Sequence, residues 1–255
     1  MLSKPQLQII SQLHQKKYRK QYGLFLVEGE KGVAELLKSN IKTEKVYGTS
    51  NWLVNNKPLV KHFQFEVITQ KQLNQVSLLS SANQVIAIAK LPLVNVTVNT
   101  LCNELILVLD GINDPGNLGT LIRTADWFGI NNIICSNNTV DAYNPKCVQA
   151  TMGSLFRSNI AYVDLNHWLQ EYKATTKLPI YATSLHGNNV YRTHLNTFGA
   201  VVIGSESHGV SNEVIAMANQ QITIPAFKEN NRAESLNAGI AGALVMAAFR
   251  LTPNN

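Results

Sequence analysis

The chain has 255 residues, 45% of them hydrophobic and 15% charged, with a formal net charge of +6. That length and composition suit one large domain or two modest ones and exclude a chain disordered throughout. The longest run without a charged or strongly polar side chain, residues 238–249, falls well short of the ~20 residues needed to cross a bilayer.

The start of the chain has no signal-peptide pattern, because Gln6, Gln8 and Ser11 break its first apolar patch and a basic cluster follows. A cytoplasmic protein without a membrane partner is therefore expected. Cys102, Cys135 and Cys147 show no CxxC spacing and no neighbouring histidine pair, so neither a disulfide framework nor a metal site is expected.

The charge is unevenly placed. Residues 1–100 hold 13 Lys and Arg against 5 Asp and Glu, a balance of +8, while residues 101–255 hold 9 against 11. A polyanion such as RNA would be drawn to the first part, since cations that neutralise phosphates release counterions. Within it a helix is predicted over residues 6–15. Lys16, Lys17, Arg19 and Lys20 then interleave with Tyr18 and Tyr22, which makes these four cations the candidate RNA contacts; a solvated helix end would show the same pattern. A strand is predicted over 24–27, a helix over 31–38 with Val33, Leu36 and Leu37 on one face, and strands over 65–68 and 85–89 that complete a small sheet. Residues 91–103, with Pro92, no charge and no helical period, read as a linker. The domains expected are thus 1–90, basic and substrate-binding, and 104–255.

Apolar strand-like runs follow at 105–109, 133–135, 160–163, 180–182, 200–203 and 222–224, separated by segments with helical spacing. This is the pattern of βα units and a mostly parallel sheet. Ligands bind such sheets beyond the carboxyl ends of the strands, so the loops there carry most of the information.

Three of those loops stand out. The first, DGINDPGNLGTLIRTA from Asp110 to Ala125, is a Gly/Asn/Asp/Pro-rich turn that opens a helix whose apolar face is Leu118, Leu121, Ile122 and Ala125. Asn117 falls near the helix start, where capping would explain it, and Arg123 falls on the opposite side, where solvation would. The second, GSESHGVS from Gly204 to Ser211, brackets Glu206 between glycines, and turn geometry has no need of a glutamate there. Ser211 is a plausible cap, and His208, without a companion ligand or triad partner, reads as a turn residue. The third runs from Ile222 through Pro225 to Ser235-Leu236-Asn237 and leads into a helix with Leu236, Ile240 and Leu244 on one face. Ser235 is the expected cap, and the small residues Ala238, Gly239, Ala241, Gly242 and Ala243 suggest close packing. No GxGxxG follows a strand and no GxxxxGK[ST] occurs, which argues against a Rossmann dehydrogenase and a P-loop NTPase.

Taken together, the three loops resemble the SpoU (TrmH-like) branch of the SPOUT RNA methyltransferases. Asn117, Gly119, Arg123 and Ala125 match the family's Asn-x-Gly-x-x-x-Arg-x-Ala motif. Gly204, Glu206 and Gly209 match Gly-x-Glu-x-x-Gly, and Ile224, Pro225, Ser235, Leu236 and Asn237 match Ile-Pro followed by Ser-Leu-Asn. All three stand in family order, which is far more specific than any one of them. The sequence FLVEGEK from Phe25 to Lys31 also looks like the opening of the ribosomal-protein-like domain that precedes many members.

The resemblance implies an α/β fold with a mostly parallel SPOUT-type sheet and a C-terminal trefoil knot, behind a small α/β substrate-binding domain. It also implies a homodimer and S-adenosylmethionine (AdoMet) as methyl donor to a ribose 2′-hydroxyl, in ribosomal RNA of the large subunit before transfer RNA. Asn117, Arg123, Glu206, Ser235 and Asn237 would form the catalytic set, and the backbones of Gly204, Ile224 and Leu236 would hold the adenosyl group. The stretch from Pro225 to Ser235 is longer than is usual in the family, with Lys228, Glu229, Asn230, Asn231 and Arg232 as extra residues and a possible RNA contact. Gln149 stands where many relatives carry a basic residue. A non-catalytic RNA-binding or ribosome-assembly protein on the same fold is the rival from another class.

Overall fold

In the computed structural model, which describes residues 2–79, 83–228 and 234–251, the chain divides into two compact units. The first is Met1–Leu93 with Asp141–Arg157, and the second is Val94–Val140 with Ser158–Asn255.

The chain opens with α1 (Lys4–Gln12), started by a capping box in which Ser3 and Gln6 bond each other's backbone, and continues into α2 (Lys16–Tyr22). Next come β1 (Leu24–Glu28), α3 (Glu30–Lys38), β2 (Thr43–Gly48), α4 (Ser50–Val60), β3 (Phe65–Val67), α5 (Gln70–Val76) and β4 (Val85–Lys90). The four strands form one sheet in the order β1-β4-β2-β3, with β2 and β3 parallel and β4 antiparallel to both its neighbours. Alternation along β1 sends Leu26 to a core shared with Ile10, Leu13, Leu73, Val76, Ile86 and Ile88. Phe25, on the other face, meets Tyr143 edge-on at 4.9 Å between ring centroids. β2 and the helices α4 and α5 were not legible as elements in the sequence. In β2 only the last three residues are buried, and α4 carries Pro58 and a break at Asn56 (φ −126°) that spoil its period.

Past a short 3₁₀ turn, Val98–Leu101, the second unit begins with β5 (Leu105–Asp110), α6 (Pro115–Trp127) and β6 (Asn132–Ser136). Helix α7 (Pro145–Thr151), with the 3₁₀ turn Ser154–Arg157, belongs to the first unit. The second resumes with β7 (Asn159–Val163), α8 (Leu165–Thr176), β8 (Ile180–Asn189), β9 (Gly199–Gly204), α9 (Asn212–Met217), β10 (Gln220–Thr223) and α10 (Ala238–Leu251). Its strands lie in the order β10-β8-β9-β5-β6-β7, and each adjacent pair is parallel.

All six residues of β5 and of β9 are buried, as strands covered on both faces must be. One face packs Ile106, Val108, Val202 and Ile134 against Trp168, Leu169 and Tyr172 of α8 and Val214 of α9. On the other lie α6 and α10, in contact along their length. A Cβ on Gly239 would sit 3.1 Å from Thr120, and one on Gly242 would sit 2.2 Å from Leu121 Cδ2. The small residues of α10 thus make room for side chains of α6. The Arg250 guanidinium closes the far end, donating to the Phe128 carbonyl at 2.8 Å, a cation at a helix C-terminus.

Strand β8 runs well beyond the three residues its sequence suggested. Its pairing with β10 jumps from Ala182 opposite Gln221 to Asn188 opposite Ile222, so residues 183–187 bulge out of the ladder. Gly187 permits the return, since a Cβ there would lie 2.6 Å from the Ile222 backbone. Among the described residues, no helix is long and apolar enough to cross a membrane.

Candidate active site

The site grows from the carboxyl ends of β5 and β9, which pair in register with Asp110 opposite Gly204. After β5 the chain turns through Gly111 (φ +70°) and enters α6 with Asp114 as N-cap and Pro115 in the first turn. The Asp114 carboxylate accepts from the Asn117 backbone N–H at 2.7 Å. Capping therefore falls to Asp114, and the carboxamide of Asn117 is left for other work. The signal was present in the sequence, an acidic residue directly before a proline that opens an apolar period.

Beyond β9 the loop closes on itself through paired backbone bonds between Ser205 and Gly209. A Cβ on Gly204 would lie 2.0–2.2 Å from the Gly209 and Val210 backbone, so the loop can fold back only over a glycine. Gly209 itself is left-handed (φ +69°), with open space where a side chain would be. The exposed Ser207 and His208 bond to each other at 2.8 Å, which agrees with the reading of His208 as a turn residue. Ser211 occupies the N-cap of α9 without a side-chain cap bond; its N–H instead donates to Asp110 Oδ2 at 2.8 Å, tying the ends of β5 and β9 together.

The third segment supplies Asn237. Its Oδ1 accepts from Ile240 N–H at 3.2 Å, so Asn237 caps α10, and the expectation that Ser235 does so is corrected. The helix starts at Ala238, which puts Ser235 too far upstream to reach its free N–H groups. With its oxygen turned to the helix, the Asn237 Nδ2 donates to Asn117 Oδ1 at 2.8 Å and to Glu206 Oε1 at 2.7 Å. Asn117 Nδ2 reaches the same Glu206 oxygen at 2.9 Å, and Ala238 N–H reaches it at 3.1 Å. One carboxylate oxygen thus gathers three donors at the N-terminus of a 14-residue helix, where the helix dipole favours negative charge. The Ala238 N–H is a participant that a reading of side-chain types misses. Glu206 Oε2 has no partner among the described residues.

The other candidates are placed differently. Arg123 is exposed on α6, nearly two turns beyond Asn117, with no hydrogen bond or ion pair among the described residues. Ser235 and Leu236 are exposed beside Asn237, Leu236 by 46%, and Ile224 is half-buried just past β10. Lys228 is exposed, and Glu229, Asn230, Asn231 and Arg232 lie outside the described residues. Gln149 is exposed on α7.

In the first unit Lys16, Lys17 and Lys20 are exposed on α2, and the Lys17 ammonium sits 5.7 Å from the Tyr18 ring centre. Arg19 is corrected. It is 2% exposed and bonded to Asp141 at 2.6 Å and to the Leu13 and His14 carbonyls at 2.9 Å each, so it is a buried structural cation out of reach of a phosphate in solvent. Sequence spacing could not separate it from its neighbours, because its partner lies 122 residues away.

Residues 104–247, more than half of the chain, match the family model of the SpoU rRNA methylases. The chain belongs to the SpoU rRNA methylase family. Residues 4–87 of this SpoU chain match a second model, the MRM3-like substrate binding domain. Among its relatives, a 23S rRNA (guanosine(2553)-2′-O)-methyltransferase of Bacillus subtilis is 28% identical over 240 residues, 93% of either chain. Among solved structures, a protein from Porphyromonas gingivalis assigned to the TrmH family of RNA methyltransferases superposes with a TM-score of 0.85 at 31% identity, covering 98% of both chains. An AdoMet-bound rRNA methyltransferase from Sinorhizobium meliloti superposes with a TM-score of 0.83 at 28% identity, over 98% of this chain and 95% of that one. The mostly parallel sheet of the second unit is therefore the SPOUT methyltransferase fold, and the cofactor of the family is AdoMet.

Proposed function

We propose that this SpoU-family chain transfers the methyl group of AdoMet to a ribose 2′-hydroxyl of large-subunit ribosomal RNA. The observation that carries the reading is the convergence of Asn117, Glu206 and Asn237, from three loops far apart in the chain, on one carboxylate oxygen. The full-length 23S rRNA relative supports ribosomal RNA as substrate.

The residues present fit the cofactor. A carboxylate with a free oxygen and two carboxamides, with no cationic side chain bonded into the network, suits a positively charged sulfonium. The exposed Leu236 offers an apolar surface for an adenine ring, with the backbone of Gly204 at the end of β9 and that of Ile224 just past β10. When bound, AdoMet supplies an electrophilic methyl carbon that needs no metal to activate it.

What the chain must add is alignment of the attacking hydroxyl and an outlet for its proton. A guanidinium, with a pKa above ~12, is a poor base. Arg123 is assigned instead to an RNA phosphate and to the negative charge growing on the ribose oxygen. Asn117 and Asn237 hold Glu206 in place, and Ser235 completes the polar rim. Lys16, Lys17 and Lys20 give the first unit, read as the substrate-binding domain, its affinity for the RNA backbone.

The finer expectations belong to the same proposal: a trefoil knot in the second unit, a cytoplasmic location and a homodimer. The dimer is supported by the solvent side of the α6 and α10 pair, which leaves Trp127 85%, Ile240 54% and Leu244 37% exposed, a costly display for a lone chain. Calorimetric titration with AdoMet followed by transfer of labelled methyl to total RNA tests the reading. Nuclease digestion should yield a 2′-O-methylated nucleotide from 23S rRNA. Label in a base, in transfer RNA, or nowhere would refute it in turn as to atom, substrate or activity.

A further inference from the structure

Away from the carboxylate network, the first unit holds a groove of about 580 Å³ where β2 and β3 end. The two strands are parallel with Gly48 opposite Val67, so the chain leaves both at the same edge and enters α4 and α5 through the N-caps Thr49 and Thr69. Each threonine hydroxyl serves its own helix, accepting from Trp52 N–H and Gln72 N–H at 3.2 Å. Gln84, at the head of β4, accepts at Oε1 from the Thr49 hydroxyl at 3.3 Å and from Asn51 Nδ2 at 3.4 Å. The NH₂ group of Gln84 and the side-chain oxygen of Asn51 are left without partners among the described residues. Val67, 42% exposed, and Ile68 add an apolar patch.

The character of the lining limits what the groove can hold. Among the described residues, no Asp, Glu, Lys, Arg or His lines it. Without carboxylates or imidazoles it is no metal site, and without cations it is a poor seat for a lone phosphate. Uncharged donors and acceptors beside an apolar patch are what the edge and face of an unpaired nucleobase require. Its volume is within the range of small-ligand sites, ~300–1,000 Å³. Lys71, exposed between Gln70 and Gln72 in the chain, puts a positive charge close by for the phosphate such a base would bring.

We propose that this groove receives an unpaired base of the RNA substrate, Asn51 and Gln84 reading its edge while Val67 packs against its face. The inference rests on the RNA reading given above and adds a specificity element separate from the lysines of α2. It gives a use to the unpartnered amide groups of a polar groove in a unit otherwise marked only by its basicity.

The test measures fluorescence anisotropy of the full-length chain with a short labelled single-stranded RNA of mixed sequence and with its fully paired duplex. Asn51→Ala and Val67→Ser alter exposed side chains and should leave the fold intact. Each is expected to weaken single-strand binding about tenfold, as loss of one good contact does, and to leave duplex binding unchanged, since paired bases cannot enter. Wild-type affinity in both variants, equal losses for strand and duplex, or no single-strand binding by the wild type would overturn the proposal. Methyl transfer to total RNA by the wild type, run in parallel, tests the methyltransferase reading separately, because the binding measurement needs no turnover.

Discussion

Helix α2 in the first unit and helix α6 in the second each carry an arginine that its sequence context marks for RNA. Arg19 lies within a run of lysines and tyrosines, and Arg123 lies within a family motif. Arg19 turns inward, held by Asp141 and two carbonyls at 2% exposure, whereas Arg123 stays in solvent with no described partner. A buried guanidinium is tolerated only when it is paired and hydrogen-bonded, and one left exposed on a helix is free to meet a ligand. Sequence neighbours therefore say little about what an arginine does. What distinguishes the two is whether the fold supplies an acid and carbonyls to hold the fork inside.

The sharpest way to break this comparison is at Arg123. Arg123→Ala should reduce turnover by about 10²–10³-fold, the scale of a lost transition-state donor, while changing AdoMet affinity little. Single-turnover methylation with calorimetry of AdoMet binding checks it, and near-normal turnover would remove Arg123 from the chemistry. At Arg19 the effect should fall on stability instead. Arg19→Ala leaves Asp141 Oδ2 and two carbonyls without their donor and should cost about 3–5 kcal/mol, read as a lower Tm by calorimetry. Lys20→Ala, one residue along and exposed, should change Tm by no more than ~0.5 kcal/mol equivalent while weakening RNA binding.

Within the second unit, Gly204→Ala sharpens the contrast between site and scaffold. The added methyl would meet backbone at 2.0–2.2 Å and should cost about 1–3 kcal/mol, displacing Glu206 and with it activity. Gly242→Ala meets only the tip of Leu121 and should cost less. Thermal unfolding of both variants ranks them, and the reverse order would deny that the loop is closed as described.

The smallest effect concerns Glu28, an acid of the first unit with no cation paired to it among the described residues. Burial pushes its carboxyl above the ordinary range, against the pull of bonds from Ser77 at 2.5 Å and Leu78 N–H at 3.1 Å. A carboxyl raised on folding binds its proton more tightly in the native state. Its contribution to stability is therefore complete below the unfolded pKa of ~4.3 and is lost as pH rises through the higher folded value. Glu28→Gln should remove that fall, gaining on the wild type as pH goes from acid to neutral. Unfolding midpoints across that range check the sign.

Much of the second unit could be read from the chain. Six apolar runs became β5 to β10; β5, β6 and β9 are buried along their whole length, and strands covered on both faces must be continuously hydrophobic, while Asn117, Glu206 and Asn237 stood out by motif and order. Less of the first unit was visible. Only half of β2 is buried, and α4 breaks at Asn56, so neither offers a clean period. The line of Leu236, Ile240 and Leu244, read from the sequence as one face, is exposed, and it is the glycine side of α10 that packs inward. Hydrophobicity does not distinguish a face buried in the chain from one exposed on its surface.

By itself the sequence determined the family, the chemistry and the order of the strands along the chain, since these depend on residue type and local period. Which atoms meet follows from how distant segments fold onto one another. That folding made Asp114 rather than Asn117 the cap of α6, sent Asn237 to cap α10, drew three donors onto one oxygen of Glu206 and buried Arg19. Each of these depends on bonds between residues far apart in the chain, or on the choice between two capping groups a few residues apart, and both are settled by distances of a few tenths of an ångström that no local pattern encodes.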